Sequence, residues 1–233
     1  MRLAVTRTSE RLQRLRELAQ PHGIKVVPFP LTKTQEFPFE WPATIPPNTV
    51  DWLVFTSGIA VDAFYRQLGP VESAELKAAR IAVIGGRSSQ YLVQRGIECD
   101  HIASYPAARV LFEELCHELL SSGDIVVHPR PEIVATEPEG LLKIRGIHYV
   151  PIVCYRTIAS AIDTKVVKTL TPDDFILFTS PSAIRVYHEA FGQPAARPVA
   201  IGPTTAASMN QYGWLGFITM KEAHVESILE YLP

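Results

Sequence analysis

The chain repeats itself. Arg7 recurs as Arg130, Gly23-Ile24 as Gly146-Ile147 and Pro28 as Pro151, each 123 residues further on. The same offset carries Asp51-Trp-Leu-Val-Phe-Thr56-Ser57 onto Asp174-Phe-Ile-Leu-Phe-Thr179-Ser180. Ile84-Gly85-Gly86 then answers Ile201-Gly202-Pro203 at an offset of 117, and Gln94 and Gly96 answer Gln211 and Gly213 at the same spacing. A six-residue deletion explains the change of offset. One match of this kind can arise by chance; an ordered series means a duplicated unit, so a fold that suits one copy must suit both.

Each copy reads as strands alternating with helices. Short apolar runs at 2–6, 24–29, 51–55 and 81–84 read as strands. Helices follow from Ser9 to Gly23, from Gly58 to about Leu68 and from Gly86 to before Gly96. Further along, 100–103, 125–128, 147–152, 174–178, 198–201 and 216–219 read as strands. Residues 108–120, 131–143, 182–191, 204–212 and 222–231 read as helices. Apolar strands alternating with helices of about ten residues predict an α/β fold with doubly wound parallel sheets.

The aperiodic stretches do not fall between the copies, where only Ser121-Ser122-Gly123 stands. They fall inside them: residues 31–49 carry Pro38, Pro42, Pro46 and Pro47, and a second stretch runs over about 155–173. Prolines remove backbone donors, and domain boundaries favour such segments. The expectation is therefore two domains from one duplication, joined by two crossing linkers. One is discontinuous (1–30 plus 157–233) and the other central (50–154).

Composition narrows the function. With 22 Lys+Arg against 24 Asp+Glu, the net charge of −2 supplies no basic excess for a nucleic-acid backbone, so no nucleic-acid partner is expected. No run reaches the ~18–20 apolar residues of a membrane span, and the start of the chain lacks a secretory pattern. Cys99, Cys116 and Cys154 are scattered and odd in number, which suits a reduced, cytoplasmic compartment. The motifs GxxxxGK[ST], HExxH, CxxC and GxSxG are absent, and the seven histidines show no zinc spacing. Cys99 and His101 would share one strand face, but no third ligand lies near, so a core Cys beside a surface His is the simpler reading. The expectation is a monomer with neither metal nor cofactor.

Chemistry-bearing residues gather instead where strands end. These are Thr6-Arg7, Thr56-Ser57, Gly85-Gly86-Arg87-Ser88, Arg130, Thr179-Ser180-Pro181-Ser182 and Gly202-Pro203-Thr204-Thr205. In doubly wound sheets ligands bind outside the carboxyl ends of strands. Hydroxyls and free N–H groups at helix starts suit carboxylates, although the same Ser and Thr residues serve as helix caps. Arg7, Arg87 and Arg130 can each form a bidentate pair with a carboxylate, or an ion pair with Asp or Glu. Tyr155, in Val153-Cys154-Tyr155-Arg156-Thr157, falls at the second crossing. With an ordinary pKa of ~10 it keeps its proton near neutrality and can donate to a leaving oxygen, or simply pack between domains.

On these residues the sequence resembles the uroporphyrinogen-III synthase family over essentially its whole length. The resemblance rests on Thr6-Arg7, Asp51…Thr56-Ser57, Ile84-Gly85…Ser88, Tyr155-x-Thr157, Phe178-Thr179-Ser180-Pro181-Ser182 and Ile201-Gly202-Pro203-Thr204-Thr205. Ser88 stands where the family commonly has Thr, and Gly58-Ile59 replaces a more usual polar pair.

The resemblance implies a cofactor-free hydro-lyase of tetrapyrrole synthesis. It would cyclise hydroxymethylbilane to uroporphyrinogen III with loss of water and inversion of ring D, by way of an azafulvene and a spiro intermediate. It implies Tyr155 as the acid at the departing hydroxyl. Substrate contacts would come from Arg7, Thr56, Ser57, Gly86, Arg87, Ser88, Arg130, Thr179, Ser180, Ser182, Pro203, Thr204 and Thr205. Transient contact with hydroxymethylbilane synthase is a further expectation. The competing readings are a two-domain binding protein for an anionic metabolite and a family member without activity.

Overall fold

The computed structural model describes every residue except Ala135 and the side chain of Arg87. The first half of the chain holds β1 (Arg2–Val5), α1 (Gln13–Ala19), β2 (Lys25–Pro28), β3 (Thr32–Glu36), β4 (Trp52–Phe55) and α2 (Gly58–Gln67). It continues through α3 (Pro70–Glu75), β5 (Arg80–Val83), α4 (Gly86–Val93), β6 (His101–Ile102) and α5 (Ala108–Glu114). The second half holds β7 (Ile125–Pro131), α6 (Glu139–Ile144), β8 (His148–Ala159), α7 (Thr164–Thr169) and β9 (Phe175–Phe178). It ends with α8 (Pro181–Phe191), β10 (Arg197–Ala200), α9 (Pro203–Gln211) and β11 (Ile218–Thr219).

The chain divides into two compact units. One comprises Met1–Lys33 with Thr157–Pro233, the other Thr34–Arg156. The first contains a five-stranded parallel sheet in the order β11-β10-β9-β1-β2. The second sheet has six strands, ordered β3-β8-β7-β4-β5-β6, and its last five are parallel. β3 runs antiparallel to the far part of β8, as the flanking bonds Phe37 N–H to Cys154 O (2.8 Å) and Ser160 N–H to Leu31 O (3.0 Å) require. So the proline-rich stretch 31–49 contains a strand, and the chain passes from unit to unit along two paired strands.

Burial explains the strand positions. All four residues of Trp-Leu-Val-Phe in β4 are buried, as are all four of Phe-Ile-Leu-Phe in β9. Period-two alternation splits them: Leu53 and Phe55 join the core under α2, while Trp52 and Val54 join the core under α5. Phe175 with Leu177, and Ile176 with Phe178, divide in the same way between two cores. A strand covered on both faces must be apolar throughout, which is why these segments lack the polar alternation of a half-exposed strand.

The repeat is visible in contacts as well as in letters. Gly23 and Gly146 both adopt left-handed backbone (φ 67° and 71°), where any side chain is strained, and each leads its chain into β2 or β8. Asp174 accepts the N–H of Arg2 at 2.7 Å, and Asp51 accepts that of Ile125 at 2.8 Å. Arg80 lies over the Trp52 ring at 4.3 Å, and Arg197 over the Phe175 ring at 5.5 Å.

Some helices depart from their sequence pattern. Helix 131–143 starts only at Glu139, because Pro131 still belongs to β7 and Pro138 supplies the cap position. Segment 222–231 forms a 3-10 helix at Val225–Tyr231, and the helix through Leu120 widens to a π turn at Leu115–Leu119. Ser9 opens a 3-10 turn rather than capping a helix, and its hydroxyl takes the Arg16 guanidinium at 2.9 Å.

The aspartate brace gives a test of stability. Burial raises the Asp174 carboxyl's pKa, but bonds from the Thr171 and Arg2 amides and the Thr171 hydroxyl outweigh it and hold it below its ordinary value. A depressed carboxylate contributes stability above its unfolded pKa of ~3.9 and loses it as pH falls through the folded value. Asp174→Ala should cost roughly 1–3 kcal/mol in urea denaturation at pH 7. The gap to the parent protein should narrow at pH 3.

Candidate functional site

Matched through the repeat, the two parallel sheets share one arrangement, β2-β1-β9-β10-β11 and β8-β7-β4-β5-β6, which numbered along the chain within each unit read 2-1-3-4-5 and its circular permutation 5-4-1-2-3. The order reverses between β1 and β9 in one unit and between β7 and β4 in the other. At such a point adjacent connections leave in opposite directions, and the carboxyl ends open a crevice for ligand. The sequence sends Thr6, Thr179, Thr56 and His128 to these two places.

In the discontinuous unit, Thr6 Oγ1 lies 3.2 Å from Thr179 Oγ1 and accepts the Thr179 N–H at 2.9 Å. Thr6 is buried and Thr179 half-buried, so the pair ties the ends of β1 and β9 together. Arg7 follows, half-buried, with its N–H on Val5 O at 2.7 Å. Ser180 caps α8 by accepting the Ala183 N–H at 3.2 Å, and its oxygen lies 3.0 Å from Ser182 Oγ. Gly202 occupies the cap position of α9 without a side chain, so the first amides there meet no capping oxygen. Pro203 and Thr204 are exposed in that first turn and Thr205 is buried.

In the central unit, Ser57 caps α2 by accepting the Ala60 N–H at 3.0 Å. Its oxygen also lies 2.9 Å from the Tyr155 hydroxyl. Tyr155 reaches it through an irregularity in β8. Arg130 faces Val153 and Pro131 faces Tyr155, which leaves Cys154 as an extra residue. Without that bulge, alternation would turn Tyr155 to the face of Tyr149; with it, Cys154 and Tyr155 both join the core that contains α2. Burial pushes the Tyr155 phenol's pKa up, while the bond from Ser57 works against the rise.

Thr56 Oγ1 stands 3.1 Å from His128 Nε2, and His128 Nδ1 stands 2.8 Å from the Tyr149 hydroxyl. His128 is buried, and burial, aided by the nearby Arg130 charge, pushes its pKa down to about 3. Burial pushes the Tyr149 phenol up to about 12, with Arg130 opposing. Arg130 is tied to Glu137 at 2.6 Å, while its buried Nε meets no partner.

Gly85 is the extended cap residue of α4, again without a capping oxygen. Gly86 is exposed, and a Cβ there would meet open space. Ser88 is buried in the first turn, its N–H on Gly85 O at 3.0 Å. The Arg87 side chain lies outside the described residues.

The geometry pairs Thr6 with Thr179 and Thr56 with His128 at the two strand-order reversals, while Gly85, Gly86 and Ser88, and residues 202–205, stand one strand further along, at the ends of β5 and β10. Sequence reasoning missed His128 and Tyr149. Neither carries a motif; the only signal was a histidine inside an otherwise apolar strand. Among the described residues no group of three or more His, Cys, Asp or Glu could hold a metal ion. His101 bonds Glu114 at 2.8 Å, and Cys99 lies 3.4 Å from Ser89 Oγ. Among the described residues no helix is long and apolar enough to cross a membrane.

A family model described as uroporphyrinogen-III synthase HemD matches residues 13–230. Among solved structures, uroporphyrinogen-III synthetase from Helicobacter pylori 26695 aligns with a TM-score of 0.69 at 17% identity, covering 99% of this chain and 98% of that one. A mutant uroporphyrinogen III synthase from the extremely thermophilic bacterium Thermus thermophilus gives 0.65 at 17% identity, covering 99% and 96%. At such identity the structures show a shared fold. No curated protein matches the sequence.

The buried imidazole predicts an acid limb of stability. Unfolded, His128 takes a proton near ~6.5; folded, it resists protonation down to about 3. Stability from this group is complete above pH ~6.5 and is lost as pH falls from there toward 3. Denaturation curves between pH 7 and 4 should show that decline, and His128→Gln should flatten it.

Proposed function

Because the chain belongs to the uroporphyrinogen-III synthase HemD family, we propose how its own residues divide the work of that reaction. The enzyme is a hydro-lyase: it cyclises hydroxymethylbilane to uroporphyrinogen III, releasing water and inverting ring D. The substrate bears eight carboxylates. The hydroxyls and uncapped amides at the carboxyl ends of the strands bind them, with Thr6, Arg7, Thr179, Ser180, Ser182, Pro203, Thr204 and Thr205 in one unit. Thr56, Ser57, Gly86, Arg87, Ser88 and Arg130 serve in the other.

The observation that carries the acid's assignment is the bond between Ser57 and Tyr155 (2.9 Å). In this reading Ser57 Oγ accepts from the Ala60 amide and gives its own proton to the phenol oxygen, the direction in which the bond offsets the rise that burial causes in the phenol's pKa. The Tyr155 proton is then the one turned to substrate. Donation from Ser57 also stabilises the phenolate left behind, which offsets part of the penalty of burial. Tyr155 gives its proton to the departing hydroxyl, water leaves, and the electrophilic azafulvene remains. Attack by the substituted carbon of ring D forms the spiro intermediate, whose fragmentation and reclosure invert the ring. Since hydroxymethylbilane also closes unaided to the uninverted isomer, most of the enzyme's task is to hold one closure within reach.

The test is a coupled assay that generates hydroxymethylbilane in place and separates the oxidised isomers I and III. The parent protein should yield mainly isomer III, and Tyr155→Phe should lower turnover at least ~10²-fold while remaining folded. Near-normal turnover by the variant would make Tyr155 a packing residue. Isomer I alone from folded parent protein would favour the binding-protein reading.

A further inference from the structure

The chain Tyr149–His128–Thr56 has a direction. A neutral imidazole has one donor and one acceptor nitrogen, and of its two partners the Tyr149 phenol is the stronger donor and the weaker acceptor, the Thr56 hydroxyl the reverse. The Tyr149 O–H therefore donates to His128 Nδ1, 2.8 Å away. An imidazole accepting at Nδ1 carries its proton on Nε2, where it faces Thr56 Oγ1 at 3.1 Å. Thr56 then accepts within the protein and keeps its own proton for something outside. Were the tautomer reversed, Thr56 would spend that proton on the imidazole and present only lone pairs, which repel a carboxylate.

The arrangement belongs to the central unit alone. The residue 123 positions before His128 is Val5, and there Thr179, the counterpart of Thr56, bonds Thr6 directly. An imidazole has thus been placed where the other unit needs only an aliphatic side chain. Burying it costs stability at low pH, and its ring is seated edge-on against Phe112 at 5.2 Å.

We propose that His128 is a positioning residue: with its Nε2 proton set by Tyr149, it turns the half-buried Thr56 hydroxyl outward as a donor to a carboxylate of the substrate. The inference rests on the synthase reading for the identity of that substrate, but the tautomer can be measured without it. His128 acts through Thr56 and touches no reacting atom, so its removal should weaken binding more than chemistry.

The first measurement is imidazole ¹⁵N NMR on the full-length parent protein. His128 should show a protonated Nε2 and an acceptor Nδ1, unchanged between pH 5.5 and 8. A protonated Nδ1 would overturn the proposal whatever the activity. The second compares His128→Phe, which fills the space without a donor, with His128→Gln, whose amide can reach Thr56. In the coupled assay His128→Phe should raise KM for hydroxymethylbilane about tenfold with kcat within about threefold, and His128→Gln should recover most of the loss. A folded His128→Phe variant with parental KM would overturn it. If His128→Phe does not fold, the NMR result decides. If the parent protein makes no isomer III, the synthase reading falls, and the tautomer still tests the proton chain.

Discussion

Everything at the site depends on parallel pairing between strands that are distant in sequence. β1 lies beside β9, and β4 beside β7, so each sheet is closed by joining a strand from one half of the chain to a strand from the other. The joints are braced alike: Asp174 receives the amide of Arg2, and Asp51 that of Ile125. Each brace fixes the register of its strand pair, and register decides which residues stand at the carboxyl ends. A slip by one residue would turn Thr6, Thr56, Thr179 and His128 to opposite faces. The hydroxyl pairs at the two reversals are therefore a consequence of where those joints lie.

The local chemistry follows from the helices that begin there. Ser57 and Ser180 each satisfy a first-turn amide of the helix they open, at Ala60 and Ala183. That use consumes a lone pair and leaves the proton. The two units then diverge: Ser180 meets Ser182, whereas Ser57 meets Tyr155. Likewise Thr179 meets Thr6, whereas Thr56 meets His128. On a shared framework, the central unit has put titratable rings where the other has hydroxyls. The proposed acid and the proposed proton-orienting imidazole both belong to this unit.

Much of this was legible in the sequence. The repeat, the α/β class and the strand-end hydroxyls could be read from residue order, because buried parallel strands require continuous apolar runs and helix starts require caps. The His128–Tyr149 contact could not. It joins residues on neighbouring strands, and only the pairing of Val126 with Tyr149 sets His128 within reach. The bulge at Cys154 was equally hidden, since Val-Cys-Tyr reads as ordinary alternation, and the bulge determines which face Tyr155 takes. β3 was masked by the prolines around it: Thr32–Glu36 is largely exposed and polar, and its partner is the far end of β8.

The central claim is that substrate is held by the carboxyl ends of the sheets. Hydrogen exchange in the presence of uroporphyrinogen III, which is bound but not consumed, tests it most directly. The account predicts slowed exchange at the amides of residues 56–60, 85–89, 179, 180, 182, 183, 202 and 204–206. Slowing confined to the opposite end of the central sheet, around the hollow lined by Lys77, Arg80 and Arg95, would contradict it.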